Sequence, residues 1–154
     1  MKFTYLLKKP ETHIFTPIAF AMIMNALIYK YKLLYTNIKN PNLPPGYIIG
    51  TVWIVILGIL GYVHYQLYKS ANYHETPMSK YIIFVILFCI SYPILVYIFP
   101  QISRLLDVVT FILAIYLIVT ITPKYQIYIS PFFLWSFYVM ITECVLFNYN
   151  VYKK

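Results

Sequence analysis

Pro44-Pro45-Gly46 is followed by Tyr47-Ile48-Ile49-Gly50-Thr51-Val52-Trp53-Ile54-Val55-Ile56-Leu57-Gly58-Ile59-Leu60-Gly61-Tyr62-Val63-His64-Tyr65-Gln66-Leu67-Tyr68, and this stretch decides the fold. From Tyr47 to Tyr68 there is no Asp, Glu, Lys or Arg. As a helix rising 1.5 Å per residue the run spans roughly 33 Å, enough to cross a hydrocarbon core of about 30 Å. No polar face appears at any period, which excludes a helix lying on the surface of a soluble domain. Gly50, Gly58 and Gly61 are poor helix formers in water, whereas in a membrane bundle they let a neighbouring helix approach closely. Tyr47–Tyr68 therefore reads as a transmembrane helix with a close-packed face, started by a rigid Pro-Pro-Gly turn. Trp53 lies two turns in, too deep for an interfacial belt residue.

The composition extends this reading to the whole chain. Of 154 residues, 62% are hydrophobic and 10% charged, and the mean hydropathy is +0.73. A soluble domain carries about 25% charged residues, so the class is integral membrane, all-α and multi-pass. The length suits one domain, 1–154, of about five crossing helices. The net charge of +8 does not point to nucleic acid, because the lysines sit between apolar runs where they meet anionic head groups. Cys89 and Cys144 fall within apolar runs and form neither a disulfide framework nor a zinc site. Lys2, Lys8 and Lys9 precede an apolar run, but no small-x-small cleavage site follows, so the run reads as retained.

The first span is expected at about 14–31, with Asn25 as its strongly polar side chain and an interhelical hydrogen bond as its expected role. A Pro-rich loop, Lys32–Gly46, leads to the second span at 47–68. The third is expected at about 81–99 with Pro93 inside it, the fourth at about 105–121 and the fifth at about 127–147. Asp107 falls in the first turn of the fourth, where its charge favours a helix N-terminus. Glu143 lies about one turn from the end of the fifth, near enough to reach water. Tyr29, Tyr31, Tyr47, Tyr65, Tyr68, Tyr81, Tyr125, Tyr128 and Tyr149 mark the borders as an aromatic belt. Charge does not orient the chain. Lys2, Lys8, Lys9, Lys69, Lys80 and Lys124 on one side balance Lys30, Lys32, Lys39, Arg104, Lys153 and Lys154 on the other.

Little polar chemistry is readable. His13 and His74 fall outside the expected spans and His64 near the end of one, which leaves no axial pair for a membrane haem and no metal site. No Ser/His/Asp or Cys/His arrangement and no Gly-rich phosphate loop is present. What remains is aromatic: Trp53, Tyr62, Tyr92, Trp135 and Tyr138 lie on three spans and suit a shared apolar cavity, which ligand sites commonly are. Core packing and the interfacial belt are equally good uses for the same residues.

Taken in order, these landmarks resemble the TspO/MBR family, the translocator proteins also called peripheral-type benzodiazepine receptors. Leu34-Tyr35-x-x-Ile38-x-x-Pro41 resembles the family's W-Y-x-x-L-x-K-P loop. Pro44-Pro45-Gly46-Tyr47-Ile48-Ile49-Gly50-Thr51-Val52-Trp53, continuing to Gly61-Tyr62, resembles its P-P-x-x-V-F-G-x-V-W…M-G-Y segment. Tyr92-Pro93 stands where the third helix has W-P. Pro131-Phe132-Phe133-Leu134-Trp135, eight residues on from Pro123, resembles P-Y-x-x-W, and Asn150 matches the Asn closing the fifth helix. The chain departs from the family at Leu34 and Asn40 of the loop, at Val85 and Cys89 where the third helix carries amides, and at Tyr138-Val139 and Thr142-Glu143 in the fifth.

The resemblance implies a TspO-like bundle of five helices that binds or transports tetrapyrroles such as protoporphyrin IX and haem, with sterols such as cholesterol as a further ligand class. It implies no required cofactor, a homodimer, and a mitochondrial outer membrane or its equivalent. The implied ligand contacts are Tyr35, Pro41, Pro45, Trp53, Leu57, Cys89, Tyr92, Trp135, Tyr138 and Val139, with Lys32–Gly46 as a lid. Leu146, Tyr149 and Lys153 fit the implied sterol contact, although Val63, Tyr65 and Lys69 fit the same pattern equally well. A light-dependent porphyrin-degrading enzyme and an interaction protein with a vestigial pocket are the other classes open at this point.

Overall fold

The computed structural model describes residues 8–31 and 43–143, and among these the secondary structure is helical throughout. Five long helices follow one another: α1 Pro10–Tyr31, α2 Gly46–Ser70, α3 Pro77–Ile98, α4 Ser103–Thr120 and α5 Pro123–Ile141. A single 3₁₀ turn, Pro100–Ile102, joins α3 to α4. Four of the five, α1 to α4, are long and apolar enough to cross a bilayer. α5 is not among them, because Lys124, Gln126, Ser130 and Ser136 dilute it. Its 19 residues still reach about 28 Å, and it packs along α4.

The helices begin earlier than their charge-free runs because polar residues supply the first turns. At α3 the Thr76 Oγ1 accepts from the Ser79 N–H at 3.1 Å, while the Ser79 Oγ accepts from the Thr76 N–H at 2.7 Å. This reciprocal cap, with Pro77 at the first position, moves the start from the expected Tyr81 back to Pro77. Pro10 and Pro123 likewise open α1 and α5, ahead of the expected Ile14 and Ile127. α1, α3 and α5 continue through Pro17, Pro93 and Pro131.

The helices close a ring in the order α1–α2–α5–α4–α3, and α2 also packs across it onto α3. Leu57, Leu60 and Val63 of α2 meet Ile82 and Val85 of α3, Ala114 and Leu117 of α4, and Ile129 and Phe132 of α5 in the buried core. Outside, the bundle is apolar as well: Phe15, Phe20, Phe84, Leu87, Ile112, Val119, Ile127 and Leu134 are exposed. A soluble monomer rarely tolerates so much exposed apolar surface, whereas a bilayer covers it.

The three glycines inside α2, Gly50, Gly58 and Gly61, all face α1. A Cβ built on Gly50 would touch the Asn25 carboxamide at 3.0 Å, one on Gly58 would touch Ile18 at 3.0 Å, and one on Gly61 would collide with the backbone carbonyl of His13. The antiparallel ladder 25–50, 18–58 and 13–61 brings the two backbones together with nothing larger than hydrogen between them at Gly61. Asn25 thus packs against a glycine; among the described residues it forms no hydrogen bond between helices, contrary to the expectation.

Gly61→Ala is expected to destabilise the bundle by at least about 2 kcal/mol, because the obstacle is backbone. Gly46→Ala, where no atom lies within 4 Å, is expected to be neutral. Thermal unfolding of both variants in detergent separates the two outcomes.

Candidate functional site

The two tryptophans lie half-buried on adjacent helices. Trp53 of α2 faces Phe132 of α5, ring centroids 6.2 Å apart, and Trp135 packs on Tyr138 at 5.5 Å. Between α2 and α5 runs a groove of about 380 Å³, walled by Thr51, Val52, Val55 and Ile56 on one side and Pro131, Leu134 and Trp135 on the other. Val55 and Leu134 are 54% and 60% exposed, so the groove opens on the outer, lipid-facing surface. Its walls are almost wholly apolar. The Thr51 hydroxyl donates to its own helix at Tyr47 O, 2.8 Å away. The Trp135 indole N–H, by contrast, is buried and makes no hydrogen bond. Leaving such a donor unmade costs about 1–3 kcal/mol. The groove can therefore take a flat apolar group.

The other expected site residues are distributed over three environments. Leu57 and Cys89 are buried in the helix-packing core at 2% and 7% exposure. Pro45 is the exposed residue preceding α2, and Tyr138 and Val139 sit near the end of α5. Tyr92 donates its phenol to Asp107 Oδ1 at 2.6 Å, linking α3 to α4. Tyr35 and Pro41 of the loop, and Leu146, Tyr149 and Lys153 of the sterol pattern, lie outside the described residues.

Asp107 departs from its expected role. Because α4 starts at Ser103, Asp107 is past the first turn, and it is 5% exposed with a partner on another helix. A buried carboxyl inside an apolar bundle is held by such a bond, not by the helix dipole. The sequence also failed to show that His13 and His64 meet, since His13 was placed outside a span; α1 begins at Pro10 and carries it inward. The available signal was Glu11 in the turn after Pro10, which marks a helix start. Among the described residues no group of three or more His, Cys, Asp or Glu side chains is arranged to hold a metal ion.

Comparison with protein-family models, with curated proteins and with solved structures finds no match.

Tyr92→Phe is expected to lower stability by about 1–3 kcal/mol by leaving the buried Asp107 short of a donor. Combined with Asp107→Leu, which removes the need for that donor, the loss is expected to be less than additive. A double-mutant cycle of unfolding free energies in detergent measures the coupling.

Proposed function

We propose that this protein binds flat, largely apolar ligands of the tetrapyrrole class from within the membrane, in the groove between α2 and α5, and that it is a divergent relative of the TspO/MBR proteins. The observation that carries the reading is the apolar groove itself, walled by α2 and α5 and open on the outer surface. It is supported by where the groove's walls come from in the sequence. Thr51 and Val52 belong to the Pro44–Trp53 block and Pro131, Leu134 and Trp135 to the Pro131–Trp135 block, the two segments on which the resemblance mainly rests. The two motif-bearing stretches thus form opposite sides of one groove.

The lipid-facing opening suits ligand entry from the bilayer. A porphyrin inserts one edge between Val55 and Leu134, stacks on apolar walls, and offers a propionate or carbonyl oxygen to the indole. A sterol, with a single hydroxyl on a flat apolar body, presents similar chemistry and is the competing ligand in the test. The function is binding or carriage in the membrane.

The chain has two tryptophans, Trp53 and Trp135, so its indole fluorescence reports on this region alone. Titration with protoporphyrin IX in detergent is expected to quench it saturably at about micromolar ligand, or roughly 8 kcal/mol. Val55→Phe, which fills the groove, and Trp135→Phe, which removes the donor, are each expected to weaken binding about tenfold by porphyrin absorbance. Undiminished affinity in both variants removes the groove as the site. Saturable quenching by a sterol with none by porphyrin replaces the tetrapyrrole as ligand.

A further inference from the structure

α1, α3 and α5 each run through an interior proline, and the three are supported in different ways. A proline has no N–H to give to the carbonyl four residues back, which in lipid must be covered or bonded by the protein. For Pro17 that carbonyl belongs to His13, and it lies against the backbone of Gly61 on α2. Beside Pro93, the Tyr92 hydroxyl reaches across to Asp107 of α4 at 2.6 Å. Both prolines are therefore braced by a neighbouring helix. At Pro131 the carbonyl is that of Ile127, and it accepts from the Ser130 hydroxyl at 2.8 Å, within α5 itself.

Pro131 is exposed, and it lines the groove between α2 and α5, whereas Pro17 is buried. The clash of a proline ring with the carbonyl behind it bends a helix away from the ring. Because this ring faces the groove, the bend carries the rest of α5 away from α2 and opens the space between them. Leu134 and Trp135, which complete the α5 wall, both follow the proline.

The two halves of α5 are held differently. Before the proline, Tyr125 and Ile129 are buried, and Gln126 Nε2 donates to Ile118 O of α4 at 3.1 Å. After it, Phe133 and Phe137 lie parallel within 2°, and each meets Phe111 of α4, with centroids 5.6 and 5.4 Å away. Aromatic pairs accept centroid separations of about 4.5–7 Å, so these contacts survive a small displacement. The Ser136 hydroxyl donates to Phe132 O at 2.7 Å, so the second half carries its own bonds with it. A change of about 20° at Pro131 moves Trp135, about 6 Å further on, by about 2 Å. The same change moves Met140, about 13 Å on, by about 5 Å.

We propose that Pro131 is the hinge of the groove: residues 132–141 swing about it, away from α2 to admit a ligand from the bilayer and back to hold it. Ser130 keeps the Ile127 carbonyl bonded through the swing, so opening presents no bare backbone group to lipid. The inference rests on the groove being the ligand site, and it adds how that site opens.

The test uses the full chain in detergent, with Cys89→Ala and Cys144→Ser, and measures spin-label distances from Tyr47→Cys at the start of α2. One partner label is Met140→Cys, beyond the proline, and the other is Ile127→Cys, before it. Without ligand, the distance distribution to position 140 is expected to be broader than that to position 127. Pro131→Ala restores the missing N–H and is expected to narrow it to the same breadth. Saturating protoporphyrin IX is expected to shift the distance to position 140 by about 2–5 Å and to leave that to position 127 unchanged. Pro131→Ala is also expected to bind porphyrin about tenfold more weakly. Equal breadth at positions 127 and 140 without ligand, no narrowing on Pro131→Ala, or an equal shift of both distances each overturns the hinge. Narrowing on Pro131→Ala with no response to porphyrin supports the hinge and removes the tetrapyrrole as its ligand.

Discussion

The backbone of α1 rests directly on Gly61 of α2, and much of the molecule's polar organisation depends on that contact. It is possible only because position 61 has no Cβ, and it is extended along the same face by Gly58 and Gly50. The face the glycines offer is therefore covered from within the chain and is not an outer surface. Once α1 is seated so closely, His13 has little choice of partner, and His64 one turn beyond Gly61 lies within its reach. Close packing on one face of α2 also leaves its other faces to α3 and α5, which makes α2 the hub of the ring.

Lipid imposes the second constraint. With no water in the hydrocarbon region, polar groups must find partners inside the protein. Most hydroxyls do so within their own helix: Thr51, Thr110, Ser136 and Thr142 each donate to the carbonyl four residues back. Bonds between helices are then few and specific. Tyr81 donates to Leu113 O, Gln126 to Ile118 O, and Tyr92 to Asp107, while the histidine pair joins α1 to α2. Against this background the buried His64 Nε2 and Trp135 N–H are the side-chain polar atoms that, among the described residues, make no hydrogen bond.

Much of the architecture was legible in the sequence because charge-free runs and helix lengths obey the same bilayer thickness. The helix starts were less so, since capping by Thr76 and Ser79 or an opening proline adds polar turns that hydropathy alone discards. That is why His13 and Asp107 were misread: each sits within four residues of a start that lies earlier than expected. The aromatic set was visible, but not its surroundings. Leu57 and Val55 are both apolar and two residues apart, yet one is in the core and the other borders the groove. In a helix apolar all round, no period reveals which face turns inward.

The arrangement places the His13–His64 pair and the Tyr92–Asp107 pair at opposite ends of an apolar bundle whose helices alternate in direction, α5 included. Sidedness tests this most directly. In a background with Cys89→Ala and Cys144→Ser, single cysteines at Ser70, Gln101 and Thr122 are exposed to a membrane-impermeant maleimide added to one face of sealed vesicles. Ser70→Cys and Thr122→Cys should label from the same face, and Gln101→Cys from the other. Labelling of Gln101→Cys and Thr122→Cys from one face would mean that α4 does not cross, and the bundle described here would be wrong.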